Sequence, residues 1–112
     1  MPPEKSGPVP LQGTLELLVL HTLTPGPLHG YAIAQQIGKL SQDVLKVEQG
    51  SLYPALERLQ QEGLVTGKWG QSPTGRRARY YTLTAAGRRQ LGDEISDFDR
   101  VLVAINRVMR RA

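Results

Sequence analysis

Four basic side chains, Lys68, Arg76, Arg77 and Arg79, stand within residues 64–83 with no acidic residue among them. Elsewhere charge is opposed: residues 1–63 carry 4 basic and 6 acidic side chains, and residues 84–112 carry 6 and 4. An unopposed local excess of positive charge attracts phosphate. A short basic loop can equally be solvated and solubilising, so the neighbouring elements must decide. Other chemistry is poorly served. His21 and His29 are eight apart and the chain has no cysteine, so no metal site, disulfide or cofactor is expected. There is no glycine-rich phosphate loop and no nucleophile beside a base. Asp93, Glu94, Asp97 and Asp99 line the polar face of a helical segment and read as solvated. Catalysis is not expected.

The elements around the basic segment are legible. Residues 1–10 hold four prolines and read as a disordered tail. They contain no apolar run, so no signal peptide is expected, and the longest apolar stretch, residues 17–20, is far too short for a membrane. A cytoplasmic location follows as an expectation. Residues 11–24 form a first helix, apolar on more than one face, halted by Pro25-Gly26-Pro27. Residues 29–40 form a second, with Tyr31, Ile33, Ala34, Ile37 and Leu40 turned inward. After a connector at 41–49, a third helix starts at Gly50 or Ser51 with Leu52, Leu56 and Leu59 as its core stripe. Glu62-Gly63-Leu64 stops it: glycine takes the left-handed conformation and the next apolar residue folds back. Residues 64–69 and 79–83 are strand-like, with turn-forming residues 70–75 between them. Thr84 is the N-cap of a last helix.

That last helix carries Leu91, Ile95, Phe98, Leu102, Ile105 and Met109 at spacings of 4, 3, 4, 3 and 4, a seam kept up for about three heptads. Such a seam needs a cover. Helix one is one option; a second copy of the chain is favoured, because the rest of the core is already accounted for. A hydrophobic content of 39%, low for a globular domain, also suggests burial by a partner chain.

The predicted fold is mainly α with a small two-stranded β wing: a winged helix-turn-helix domain at residues 11–84 and a C-terminal dimerisation helix at 85–112. Such domains mostly hold DNA. The N-terminal residues of the third helix reach base edges in this geometry, and the first helix of the pair crosses the backbone. The expected DNA-binding residues are therefore Tyr31, Gln49, Ser51, Tyr53, Pro54, Arg58, Lys68, Arg76 and Arg77, with Lys46 and Gln60 weaker. Several have a second reading. Tyr31 can be core. Ser51 can be an N-cap only. Pro54 is tolerated in a first turn. Arg58 can pair with Glu57 or Glu62, and Arg79 can point across the strands. The Tyr53 ring is expected to pack on the wing. Tyr80 and Tyr81 alternate across a strand, so one is core, and the parity is left open.

The residues His29-Gly30-Tyr31-Ala32-Ile33, Gly50-Ser51-Leu52-Tyr53-Pro54-Ala55-Leu56, Glu57-Arg58-Leu59, Glu62-Gly63-Leu64, Gly75-Arg76-Arg77, Tyr80-Tyr81-Thr82-Leu83-Thr84 and Gly87 occur in this order. In this combination the chain resembles the PadR-like transcriptional regulators, closely over residues 11–87. The last helix agrees in length and character, as in the short members with one C-terminal helix. The resemblance implies a homodimeric repressor whose third helix enters the major groove of double-stranded DNA, relieved by a small molecule. Related short members hold the ligand between protomers among aromatic residues of the last helix. Here that helix has only Phe98, and the sole tryptophan, Trp69, lies at the wing. An effector, aromatic or apolar, is expected at Leu15, Leu18, Ile95, Phe98 and Leu102. The alternative to a DNA-binding regulator is a winged-helix module that docks a protein.

Overall fold

The computed structural model describes residues 13–110; the proline-rich tail lies outside them, as does Leu11, the predicted start of the first helix. In chain order the elements are α1 (Thr14–Thr22), β1 (Leu28–His29), α2 (Gly30–Leu40), α3 (Gln49–Gln61), β2 (Val65–Gln71), β3 (Arg77–Leu83) and α4 (Ala85–Met109).

Helix α1 is the hub. Leu17, Val19, Leu20 and Leu23 are buried on more than one side, meeting Ile33 and Ile37 of α2, Leu52, Leu56 and Leu59 of α3, and Leu91 of α4 in one cluster. The buried hydroxyl of Thr22 is satisfied locally by donating to the Val19 carbonyl at 2.8 Å. In α2, Ile33 and Ile37 are buried as expected, but Tyr31 is 58% and Leu40 63% exposed. They begin and end the helix, where α1 and α3 no longer cover that face.

Helix α3 starts earlier than predicted. Its N-cap is Glu48, with no side-chain capping bond, and the Leu52 amide donates to the Glu48 carbonyl at 2.9 Å. Ser51 is therefore inside the first turn rather than at the cap. Pro54 sits in the second turn, where it lacks the N–H that would reach the Gly50 carbonyl. The helix ends as the sequence dictates. Gly63 has φ +75°, its amide donates to the Gln60 carbonyl at 3.0 Å, and the Leu64 amide donates to the Leu59 carbonyl at 2.9 Å. That pair of bonds closes the helix and turns Leu64 into the core.

The sheet has three strands in the order β1-β3-β2, all antiparallel. The third strand, β1, is an addition to the two predicted: Leu28 pairs with Tyr81 and His29 with Tyr80. The hairpin strands also run further than predicted, to Gln71 paired with Arg77. The turn is short: the Gly75 amide donates to the Ser72 carbonyl at 2.8 Å and the Ser72 amide to the Arg76 carbonyl at 2.7 Å. Pro73 presets one φ of that turn and Gly75 supplies the left-handed one, at +83°.

One residue joins the sheet to α4. The Thr84 hydroxyl accepts from the Gly87 amide at 2.9 Å and lies 2.8 and 3.0 Å from the Gly63 and Leu64 carbonyls. It caps α4 and ties it to the end of α3. Past Leu91 the seam residues Ile95, Phe98, Leu102, Ile105 and Met109 are exposed. Helix one covers the seam only at its start, so the intrachain alternative accounts for Leu91 and little more.

Candidate nucleic-acid interface

Burial of Leu52, Ala55, Leu56 and Leu59 fixes which side of α3 faces out. Gln49, Gly50, Ser51, Tyr53, Pro54, Glu57 and Gln61 are exposed. The amides that open the helix have no capping side chain, a ready partner for a phosphate. At the start of α2, His29 Nδ1 accepts from the Ala32 amide at 3.2 Å, so His29 is the cap of that helix. Tyr31, the second residue of the helix, is exposed; of its two readings, the core one fails.

Tyr53 does not rest on the wing. Its ring and hydroxyl lie on Gly30 at the start of α2: a Cβ added there would sit 2.9 Å from both Cε1 and Oη. Glycine at position 30 is what lets α2 and α3 approach with the phenol between them.

The ion-pair partner expected for Arg58 is also corrected. It pairs with neither Glu57 nor Glu62. Its Nε donates to Glu16 Oε1 at 3.1 Å, and its Nη2 contacts the same oxygen. The partner lies 42 residues away, so no local pattern pointed to it. The guanidinium is turned toward α1, and the side chain stays half-exposed. Gln60 is half-buried, and Lys46 is exposed in the connector ahead of α3.

Strand parity sorts the wing. Directly paired residues share a face, and faces alternate along each strand. Val65, Gly67, Trp69 and Gln71 therefore share one face with Leu83, Tyr81, Arg79 and Arg77. This is the face whose inner end, Val65, Tyr81 and Leu83, is core. Tyr81 is thus the buried tyrosine. Burial pushes its phenol up, with the nearby Arg79 guanidinium pulling part of the way back and Tyr53 and Glu57 adding to the rise. The wing is joined to the third helix through β2, against which α3 packs.

Further out on the same face, the Arg77 guanidinium lies 4.7 Å and that of Arg79 5.8 Å from the centre of the Trp69 ring. Arg76 is exposed at the turn. Lys68 is on the opposite face with Tyr80, whose ring meets His29 edge-on at 5.4 Å and whose hydroxyl donates to the Gln71 carbonyl at 2.9 Å. The register therefore puts Arg77 and Arg79 on one face of the wing and leaves Lys68 on the other. Trp69 and Arg79 were missing from the predicted set. The signal for them was Leu83, whose burial places residues 81, 79 and 77 on its own face.

The predicted effector residues divide as well. A groove of about 530 Å³ runs between the start of α1 and the outer part of α4, lined by Gly13, Leu17, Glu94, Phe98, Val101 and Leu102 among others. Phe98 and Leu102 line it; Leu15, Leu18 and Ile95 do not. Leu15 and Leu18 pack partly buried against the core instead, and Leu17 takes their place at the groove. Among the described residues, no group of three or more His, Asp or Glu side chains is arranged to hold a metal, and no helix is long and apolar enough to cross a membrane.

Known proteins agree with this architecture. The family model described as the transcriptional regulator PadR-like family matches residues 19–93. Over 83 residues the chain is 32% identical to a transcriptional regulator of Mycobacterium tuberculosis, a match that covers 74% of each protein. A PadR-like transcriptional regulator from Bacillus cereus superposes with a TM-score of 0.74 at 28% identity, over 91% of this chain and 97% of that one. Bacillus subtilis PadR, solved in complex with operator DNA, gives 0.65 at 28% identity, over 72% of this chain and 47% of that one.

Proposed function

The chain belongs to the PadR-like family of transcriptional regulators, and from that premise we propose that it is a dimeric, sequence-specific DNA-binding repressor that responds to a small molecule. The family is one of regulators and not of enzymes. The observation that carries the DNA reading is an uncapped, exposed start of α3 together with a basic wing that α3 packs against through β2. The start of α3, with Tyr53, is exposed, and Arg77 and Arg79 share one face of the wing beside Trp69. Operator DNA bound to the Bacillus subtilis relative supports the same partner. Gln49, Ser51, Tyr53 and Pro54 are the proposed base-side contacts, and Tyr31, Arg76, Arg77 and Arg79 the backbone or minor-groove contacts. Such a regulator works in the cytoplasm.

Dimerisation rests on α4. Its seam continues from the buried Leu91 through Ile95, Phe98, Leu102, Ile105 and Met109, all exposed in the single chain, and water-exposed apolar stripes of this regularity are covered by a second helix. Two copies would present two α3 helices to half-sites about one helical turn, near 10 base pairs, apart. The groove beside Phe98, Leu102 and Leu17 is the proposed effector site, and a ligand there would alter the spacing of the two α3 helices. Promoter occlusion would be the means of repression.

The test is a salt-titrated binding assay with duplex fragments from the region upstream of the chain's own gene, in the presence of competitor DNA. The reading expects one fragment to bind tightly and resist competitor, and Arg76→Ala/Arg77→Ala to abolish that binding. Uniformly weak, steeply salt-dependent binding to every fragment would favour a winged helix that docks a protein.

A further inference from the structure

We propose that Trp69 is a positioning residue for DNA binding: its indole holds the Arg77 and Arg79 guanidinium groups over the ring on the far part of the wing face that carries Tyr81, ready to meet the phosphate backbone. The proposal rests on the DNA-binding reading above and adds to it a residue that contributes no charge.

Three observations converge on Trp69. The first is register. Trp69 pairs directly with Arg79, and Arg77 is the diagonal neighbour through Gln71, so one ring serves two cations at 4.7 and 5.8 Å. The second is room. A Cβ on Gly67 would lie 2.8 Å from Arg79 Nη2; the bare backbone at 67 lets the Arg79 side chain lie flat along the strand pair instead of standing out into water. The third is exposure. Trp69 is 53% exposed and belongs to no part of the buried cluster, so packing the fold does not explain a tryptophan at this position.

The physics favours positioning over direct contact. A free arginine loses rotamer freedom when it takes hold of a phosphate. A guanidinium already stacked on indole has lost much of that freedom beforehand, and its N–H edges still point outward because only its flat face is used. The tip residue Arg76, beside the left-handed Gly75, has no such support.

The experiment uses the full chain in two arms. Without DNA, ring-current shifts of the Arg77 and Arg79 side-chain protons are compared between the parent protein and Trp69→Ala. Upfield shifts that vanish in the variant are expected, and their absence in the parent would overturn the stack whatever the protein binds. With DNA, affinity for a labelled duplex is measured against salt for the parent, Trp69→Ala, Trp69→Phe, Trp69→Leu and Arg77→Ala, with melting curves for each. Trp69→Ala should weaken binding about three- to tenfold at every salt concentration and keep the parent's salt slope, since no charge is lost. Arg77→Ala should flatten that slope by about one unit. Trp69→Phe should recover most of the loss and Trp69→Leu should not. Unchanged or tighter binding by Trp69→Ala, or equal rescue by leucine and phenylalanine, would overturn the proposal. A parent that binds no duplex at all would instead count against the DNA-binding reading, while the DNA-free arm still decides the stack.

Discussion

The phenol of Tyr53 lies directly on the α-carbon of Gly30, with Cε1 and Oη each 2.9 Å from where a Cβ would stand. One glycine thus sets the position of a side chain at the start of the proposed recognition helix. Gly30→Ala should push the ring aside. Because Tyr53 is half-exposed it has somewhere to go, so stability should change by less than about 1 kcal/mol. Affinity for the operator fragment should fall roughly tenfold. A double-mutant cycle with Tyr53→Ala checks the mechanism: the two losses should not add, and full additivity would refute the coupling.

The junction between sheet and last helix should be far less tolerant. Gly87 faces the Leu64 carbonyl so closely that a methyl group there would collide with backbone and with Leu83 Cδ1, 2.7 Å away. Gly87→Ala should cost at least ~3 kcal/mol. Thr84→Ala loses the cap and the tie to the α3 terminus, and should cost about 1–2 kcal/mol, with Thr84→Ser close to the parent. Thermal melting of the three variants tests this ranking, which a melting point for Gly87→Ala above that of Thr84→Ala would reverse.

Leu102→Asp should convert a dimer to a monomer. It puts a charge in the middle of the exposed α4 seam, where a facing helix would have to desolvate it. Sedimentation should give half the parent's mass with the helical content nearly unchanged, because Leu102 contributes nothing to the buried cluster of the protomer. A variant that sediments like the parent would overturn the α4 seam as a dimer interface.

Tyr81 predicts a pH dependence. Its phenol is pushed above the usual tyrosine value, chiefly by burial, against the opposing pull of Arg79. With the folded value raised, the unfolded chain gives up this proton first. The contribution to stability is therefore complete below about pH 10 and declines as pH rises beyond it. Denaturant melts across that range should show the decline in the parent and a flatter alkaline limb in Tyr81→Phe. Identical limbs would show that another group governs it.

The parts of the fold legible in the sequence are those written in local chemistry. The Leu52, Leu56 and Leu59 stripe, the left-handed Gly63 and the Thr84 cap each depend on residues within a turn or two, and each stands where expected. The parts not legible are set by distant partners. A two-residue strand such as β1 carries no periodicity; it exists because Tyr80 and Tyr81 offer it an edge. Arg58 follows Glu16, not its helical neighbours. The early start of α3 hid in a polar run, Glu48-Gln49-Gly50, that lacks a capping side chain. In the candidate site, the basic residues could be picked out by charge alone, but their division between two faces depends on which strand residues, Val65 and Leu83, are buried.

Between Leu83, the last residue of the wing, and Ala85, the first of the 25-residue α4, stands only Thr84. No slack separates the strand from the rod that follows, so the two behave as a crank and its shaft. A helix of that length extends about 37 Å, and a tilt of about 5° at its capped end sweeps the far end through about 3 Å. Motion too slight to break the Thr84 hydrogen bonds at one end is thereby magnified, at the other, to the width of a hydrogen bond.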